Sequence, residues 1–336
     1  MIKKFQFTDY LPGRSKFLKF FLTGLALSLP FWWGINVLER NLEDFFFWKL
    51  TEDLEFKTQV SQPLIDYSSL KPIRNWEVED LEIEAKSAIS VEITKNGKQK
   101  VLFEKTGDLK LPIASLTKLM TAYLVLENNY DLSDEIKITQ EIVEQEGDAG
   151  QLKVGDIFRI KDLLYISLME SSNDAAYALS GAYLDPGTFI NVMNSEAKNL
   201  GLKDTYFTNS TGLDPDNPKN PINYSTANDF VKFTQSLLEK PLIFDILSTP
   251  EMNLYLPNGV NYKIENTNEL LKENLGWSSL IVGGKTGWTP QARGCLLLVL
   301  RSQKADGYLI NVIFGSENRF EEIKKLVNWI ITAYKW

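Results

Sequence analysis

The apolar pattern of this chain changes period twice, and that limits its fold more than any single residue does. Ala88-Ile-Ser-Val-Glu-Ile-Thr94 alternates in part and is rich in β-branched residues. Asn96-Gly97 and a second apolar run, Lys100-Val-Leu-Phe-Glu104, follow it, which predicts a β-hairpin. After Pro112 the spacing becomes helical, with Leu116, Leu119, Met120, Tyr123, Leu124 and Leu126 recurring along one segment. Residues 131–240 read as mostly helical, with loops at Gly147, Gly155 and 214–221. Strand-length apolar runs return at 294–300 and 308–314. The closing segment, 316–334, places Phe320, Ile323, Val327, Ile330 and Ile331 on one helical face. Strands at both ends most simply join one antiparallel sheet, with the helices between them forming an inserted subdomain. The expected class is therefore α+β: an antiparallel sheet flanked by helices, with a cleft against the inserted helical subdomain as the substrate site.

Three short clusters stand in order along this frame: Ser115-Leu-Thr-Lys118, Ser171-Ser-Asn173 and Lys285-Thr286-Gly287. The chain has no histidine, which removes both a Ser-His-Asp triad and His-rich zinc sites. A serine nucleophile here needs another proton acceptor, and a lysine one helical turn away supplies it. Single motifs are weak, because Ser-x-x-Lys also occurs at Ser68/Lys71 and Ser195/Lys198, and Lys-Thr-Gly also at Lys105. Context separates them. Ser68/Lys71 runs into the helix-breaking Pro72. Ser195/Lys198 lies in a polar stretch where both groups would be solvated, and Lys105-Thr106-Gly107 reads as the turn ending the first hairpin. Ser115 instead opens a strongly apolar helix. Positions three apart share a face, the helix N-terminus favours a developing oxyanion, and apolar neighbours disfavour a charged Lys118.

A net charge of −8 without a basic stripe argues against nucleic-acid binding. The single cysteine, Cys295, sits in an apolar run and reads as a small core residue. No metal or organic cofactor site is visible. The amino-terminal fifth differs from the rest. Basic residues up to Lys19 precede an uncharged stretch at 20–38, close to the about 20 residues a membrane-spanning helix needs. Positive charge before it and acidic residues after it place the N-terminus in the cytoplasm and the remainder outside, on a periplasmic or extracellular face. The expected organisation is a cytoplasmic segment 1–19, an anchor 20–38, a juxtamembrane stalk 39–80 and a catalytic domain 81–336. A cleaved signal peptide is the competing reading, with Ala26-Leu-Ser28 as a poor cleavage site.

With these clusters in place, the chain resembles the penicillin-binding serine D-alanyl-D-alanine carboxypeptidases. The likeness extends to Leu111-Pro-Ile-Ala-Ser-Leu-Thr-Lys-Leu-Met-Thr-Ala122, to residues 162–176, to Asn209-Ser-Thr-Gly-Leu-Asp214 and to Tyr224-Ser-Thr-Ala227. The resemblance implies the penicillin-binding, serine β-lactamase-like fold and an acyl-enzyme on Ser115, with Lys118 as general base. It implies that Ser171 and Asn173 relay protons and hold the substrate amide. Lys285 and Thr286 would face the terminal carboxylate, and the backbone N–H groups of Ser115 and Trp288, just after Gly287, would form the oxyanion hole. The implied substrate is the D-Ala-D-Ala terminus of a peptidoglycan stem peptide, with β-lactams as covalent inhibitors. A D,D-endopeptidase acting on cross-links would use the same residues. A β-lactamase fits less well, because segment 214–221 offers only aspartates where a glutamate would activate water. A catalytically silent peptidoglycan-binding protein is the remaining alternative. Two departures stand out. Ser172 replaces the usual glycine, adding a hydroxymethyl group near the cleft, and Asn223 stands where relatives commonly have histidine. The sequons at Asn209 and Asn223 read as incidental.

Overall fold

The structure, a computed structural model, describes residues 72–146, 152–257, 259, 261–303 and 307–336. The expected membrane anchor at 20–38, most of the stalk and the Ser68/Lys71 pair lie outside the described residues. Among the described residues, no helix is long and apolar enough to cross a membrane. The chain divides into two compact units, Asp80–Ile331 and the two ends, Met1–Glu79 with Thr332–Trp336. In the second of these, Ile73–Arg74 pairs antiparallel with Tyr334–Lys335.

The larger unit is built on a five-stranded antiparallel sheet. Its strands are β1 (Ser87–Thr94), β2 (Gln99–Lys105), β3 (Ile281–Thr289), β4 (Arg293–Arg301) and β5 (Gly307–Ser316), in the spatial order β3-β4-β5-β1-β2. The first hairpin and the last strands do share one sheet, joined where Ile310 faces Val91 and Asn311 faces Ser90. β1, β4 and β5 are buried along nearly their whole length, so both faces of the sheet are covered, which is why they read as apolar runs. Where polar side chains enter this interior they pair: Ser90 Oγ donates to Asn311 Oδ1 at 2.8 Å. β2 and β3 are the two edges.

Among the described residues, the helices of six residues or more are α1 (Lys118–Glu127), α2 (Ile160–Tyr165), α3 (Asn173–Ser180), α4 (Pro186–Asn199), α5 (Ala227–Leu238), α6 (Pro241–Leu247) and α7 (Arg319–Ala333). α7 buries Ile323, Val327 and Ile330 of the predicted face together with Leu326, and half-buries Phe320 and Ile331. The middle of the chain is less helical than expected. Within 131–240, Glu135–Lys137 pairs with Ile157–Arg159; beyond that segment, Glu251–Tyr255 pairs with Asn261–Glu265. Each strand of the second pair fully buries one residue, Leu254 or Ile264, so these strands carry little apolar signal. Cys295 is fully buried, and burial pushes its thiol up to about 12, in keeping with an inert core residue.

Candidate active site

Ser115 lies in a 3-10 turn, Ala114–Thr117, that runs straight into α1. Ala114 takes φ 47°, a left-handed conformation rare for a residue with a side chain, and this twist leaves the Ser115 hydroxyl partly exposed beside buried neighbours. Ser171 takes φ 63° where the π-turn Ile166–Glu170 ends and α3 begins. The two serines that carry the site thus both depend on strained backbone.

Lys118 is fully buried and its Nζ makes three contacts: Ser115 Oγ at 3.0 Å, Asn173 Oδ1 at 2.7 Å and the Thr211 carbonyl at 2.7 Å. The last two partners can only accept. A neutral amine has two hydrogens, and these two oxygens take both, leaving its lone pair for the Ser115 hydroxyl. Burial, and then the charge of Lys285, hold the Lys118 ammonium well below the ordinary lysine range. The arrangement therefore prepares a base, not a spectator cation.

Lys285 forms a second pair of the same kind. It is 1% exposed, and its Nζ donates to Ser171 Oγ at 2.8 Å and to the Thr286 carbonyl at 2.9 Å. Burial and the nearby Arg319 guanidinium lower it to about 7. The sequence reading put Lys285 near a strand; the structure puts it in the middle of β3. Thr286 Oγ1 lies 2.7 Å from Thr267 Oγ1. Gly287 is required by close approach: a methyl group there would fall 3.1 Å from Ser115 N and 3.2 Å from the Ile113 carbonyl. Trp288 is 57% exposed at the end of the motif. All eight residues singled out in the sequence fall on the three segments that meet here.

The two decoys among the described residues separate as expected. Lys105 Nζ donates to the Ile83 carbonyl and Thr106 Oγ1 to the Lys86 carbonyl, so this triplet ties off a hairpin. Ser195 and Lys198 are exposed on α4. Ser172 needs a correction. Its side chain is fully buried and accepts the Ala175 N–H at 3.2 Å as the N-cap of α3, so its hydroxymethyl group caps a helix and does not line the cleft. Asp214 accepts from Thr289 Oγ1 at 2.8 Å and from Gln291 N at 2.9 Å, fastening segment 214–221 to the end of β3.

Sequence reasoning missed Arg319. It packs over Gly294, where a methyl group would lie 3.2 Å from Arg319 Cβ, and Gly294 faces Trp288 across the β3–β4 pair. Directly opposed residues project to the same face, and Thr286 shares that face with Trp288. Arg319 Nε is buried with no hydrogen-bond partner. A cation in the first turn of a helix opposes the macrodipole, and that was the available signal.

A partly exposed serine paired with a buried lysine at a helix start, a second Ser-Lys pair across from it and an antiparallel sheet edge alongside define a serine acyl-transfer enzyme of the penicillin-binding fold. Residues 74–318 match the sequence profile of the D-alanyl-D-alanine carboxypeptidase family. A D-alanyl-D-alanine endopeptidase of Pseudomonas aeruginosa is 32% identical over 72% of this chain and 76% of its own length. D-alanyl-D-alanine carboxypeptidase DacF of Bacillus subtilis is 30% identical over 76% of this chain and 64% of its own. Among solved structures, a variant of a Streptomyces DD-transpeptidase superposes with a TM-score of 0.66 at 27% identity, covering 75% of this chain and all (100%) of that one. A penicillin-binding protein of Listeria monocytogenes with cefotaxime bound gives 0.62 at 28% identity, covering 76% and 100%. This chain belongs to the D-alanyl-D-alanine carboxypeptidase family of serine peptidases.

Proposed function

We propose that Ser115 cleaves the D-Ala-D-Ala bond of a peptidoglycan stem peptide through an acyl-enzyme. Neutral Lys118 takes the Ser115 proton as Oγ bonds to the scissile carbonyl carbon. The backbone N–H groups of Ser115 and Trp288 hold the resulting oxyanion, a placement supported by the contact between Gly287 and Ser115 N. The C–N bond then breaks. The departing D-alanine amine takes a proton from the Lys285–Ser171 pair, and Asn173 holds both Lys118 and the substrate amide. The proton Lys118 took passes on to recharge the Lys285–Ser171 pair, so Lys118 is neutral again; water then loses a proton to Lys118, which returns it to Ser115 Oγ as the ester breaks and the shortened peptide leaves. Thr286 and Arg319 receive the terminal carboxylate, Arg319 as the permanent cation and Lys285 as a titratable one.

The single observation that carries this reading is the set of two accepting oxygens on Lys118, which leaves its lone pair for Ser115. A fluorescent penicillin tests it: the wild type labels covalently at Ser115, and Ser115→Ala does not. A wild type that takes no label ends the proposal. Cleavage of cross-links stays as a second reading because relatives named endopeptidases are as similar as those named carboxypeptidases. Mass spectrometry of products from a pentapeptide and from a cross-linked dimer separates the two. The basic-then-apolar pattern before residue 39 supports a membrane anchor with the catalytic domain, 81–336, outside the cell membrane. Release of the protein by alkaline carbonate would count against that anchor.

A further inference from the structure

We infer that Asn223 is a positioning residue for the Ser115–Lys118 pair. It is 1% exposed, yet every polar atom of its side chain is engaged. Oδ1 accepts from Thr208 N at 2.6 Å, Thr208 Oγ1 at 2.8 Å and Asn209 N at 3.1 Å. Nδ2 donates to Thr117 Oγ1 at 2.9 Å, to the Asn209 carbonyl at 3.0 Å and to Asn209 Oδ1 at 3.1 Å. Backbone N–H groups lie on one side and a backbone carbonyl on the other, so the set needs a neutral side chain with one accepting and one donating end, which this amide supplies in this orientation. The Asn223 carbonyl also accepts the Ile113 N–H at 3.3 Å. One residue therefore grips the nucleophile turn at both ends, Ile113 and Thr117.

Its other grip runs through Asn209. Asn209 Oδ1 accepts from Thr211 N at 3.2 Å and Gly212 N at 2.6 Å, and Nδ2 donates to the Leu213 carbonyl at 3.0 Å. These bonds set the turn whose Thr211 carbonyl takes a hydrogen from Lys118. Gly212, at φ 89°, lies where a side chain would strike the Ala114 carbonyl, so the same turn abuts the Ser115 backbone. The chain of bonds thus ends on the Lys118 amine, and packing at Gly212 carries it to the Ser115 backbone. It contains no ionisable group, and Lys285 is the charged group bearing on Lys118. A carboxylate in place of this amide would favour the ammonium form of Lys118 and remove its lone pair.

The inference rests on the acyl-enzyme reading, and the test keeps the two apart. Acylation of the full chain by a fluorescent penicillin is followed against pH for the wild type, Asn223→Ala and Thr117→Val. Asn223→Ala is expected to slow acylation at least about tenfold, the scale of a misplaced reacting group. Its acid limb should move to higher pH, because water entering the vacated space stabilises the ammonium. Thr117→Val, nearly isosteric and lacking one acceptor, should shift both in the same direction by less. If Asn223→Ala does not fold, Thr117→Val decides. A folded variant with the wild-type rate and pH profile, or with a loss confined to thermal stability, overturns the inference. A wild type that does not label sinks the acyl-enzyme reading instead. In that case NMR titration of isotope-labelled lysine still reads whether the Lys118 proton shifts between wild type and variant, and no shift overturns the positioning role.

Discussion

The same tripeptide, Lys-Thr-Gly, stands on both edges of one sheet. On β2 it closes the strand at Lys105; on β3 it occupies the middle at Lys285. The first is half-buried, bonded to nearby backbone carbonyls and followed by exposed chain. The second is buried under the nucleophile turn, faces a serine across the cleft and has a guanidinium behind it. Identical side chains thus carry different chemistry because one amine stays in contact with water and the other is held away from it beside a second cation. A motif is a statement about residues, and a site is a statement about their solvent.

The largest effect that could break this contrast is on the reaction itself. Lys285→Ala should lower the penicillin acylation rate by about 10²–10⁴, the span typical of a lost acid–base group. Lys105→Ala should leave it within about twofold. Equal losses would mean that the two edges are not functionally distinct. Next come the glycines. Gly287→Ala puts a methyl group against the Ser115 backbone, and a shift of that turn should cost about 10²-fold in acylation. At Gly107 the added methyl group meets the side-chain ends of Glu104 and Asn228, which can swing away. Gly107→Ala should therefore change stability by about 1 kcal/mol and leave the rate alone. Arg319→Leu should follow, raising KM for a D-Ala-D-Ala peptide by about 10–100-fold, the worth of a charge-assisted hydrogen bond, with a smaller change in kcat. An unchanged KM would remove Arg319 from carboxylate recognition.

These contrasts also show what the sequence could reveal. The ordered clusters, the hairpin and the terminal strands were legible because each is a local pattern. The Lys285 triplet could be preferred over Lys105 from its flanking glycines and the strand after it. The third partner of Lys118 could not be read. It is a backbone carbonyl 93 residues away, and a main-chain acceptor has no letter of its own. Arg319 was hidden for a related reason: its place is set by the missing side chain of Gly294 on another strand. Ser172 was expected to add a hydroxymethyl group near the cleft, because position in a motif does not say which way a side chain turns. Asn223 marked itself as a departure, but its six hydrogen bonds exist only once the 205–213 loop has folded against the nucleophile turn.

The pH dependence sharpens the contrast further. Acylation needs Lys118 neutral, so the rate should climb as pH rises through its lowered pKa. Leaving-group protonation needs Lys285 charged, so turnover of a peptide should fall above about 7. Penicillin acylation also breaks a C–N bond and must protonate the ring nitrogen, so its profile should show the same alkaline limb. A peptide profile that keeps rising above neutrality would assign the proton to another group.

The smallest effect is on stability, and its sign follows from the same burial. The folded state lowers Lys285 from 10.5 to about 7. Between those values the unfolded chain binds the proton and the folded chain releases it, so unfolding takes up protons and stability rises with pH. Below about 7 both states are protonated and the full cost of the buried cation is present; above 10.5 both are neutral and it is gone. Replacing the amine by an uncharged side chain of similar length, Lys285→Met, should therefore flatten the rise of Tm with pH in that window relative to the wild type. The absolute Tm of the variant carries less information, because Ser171 and the Thr286 carbonyl lose a donor at the same time. Parallel Tm curves for the two proteins would mean that Lys285 keeps its ordinary proton affinity in the fold. The two edges of the sheet would then differ in position alone.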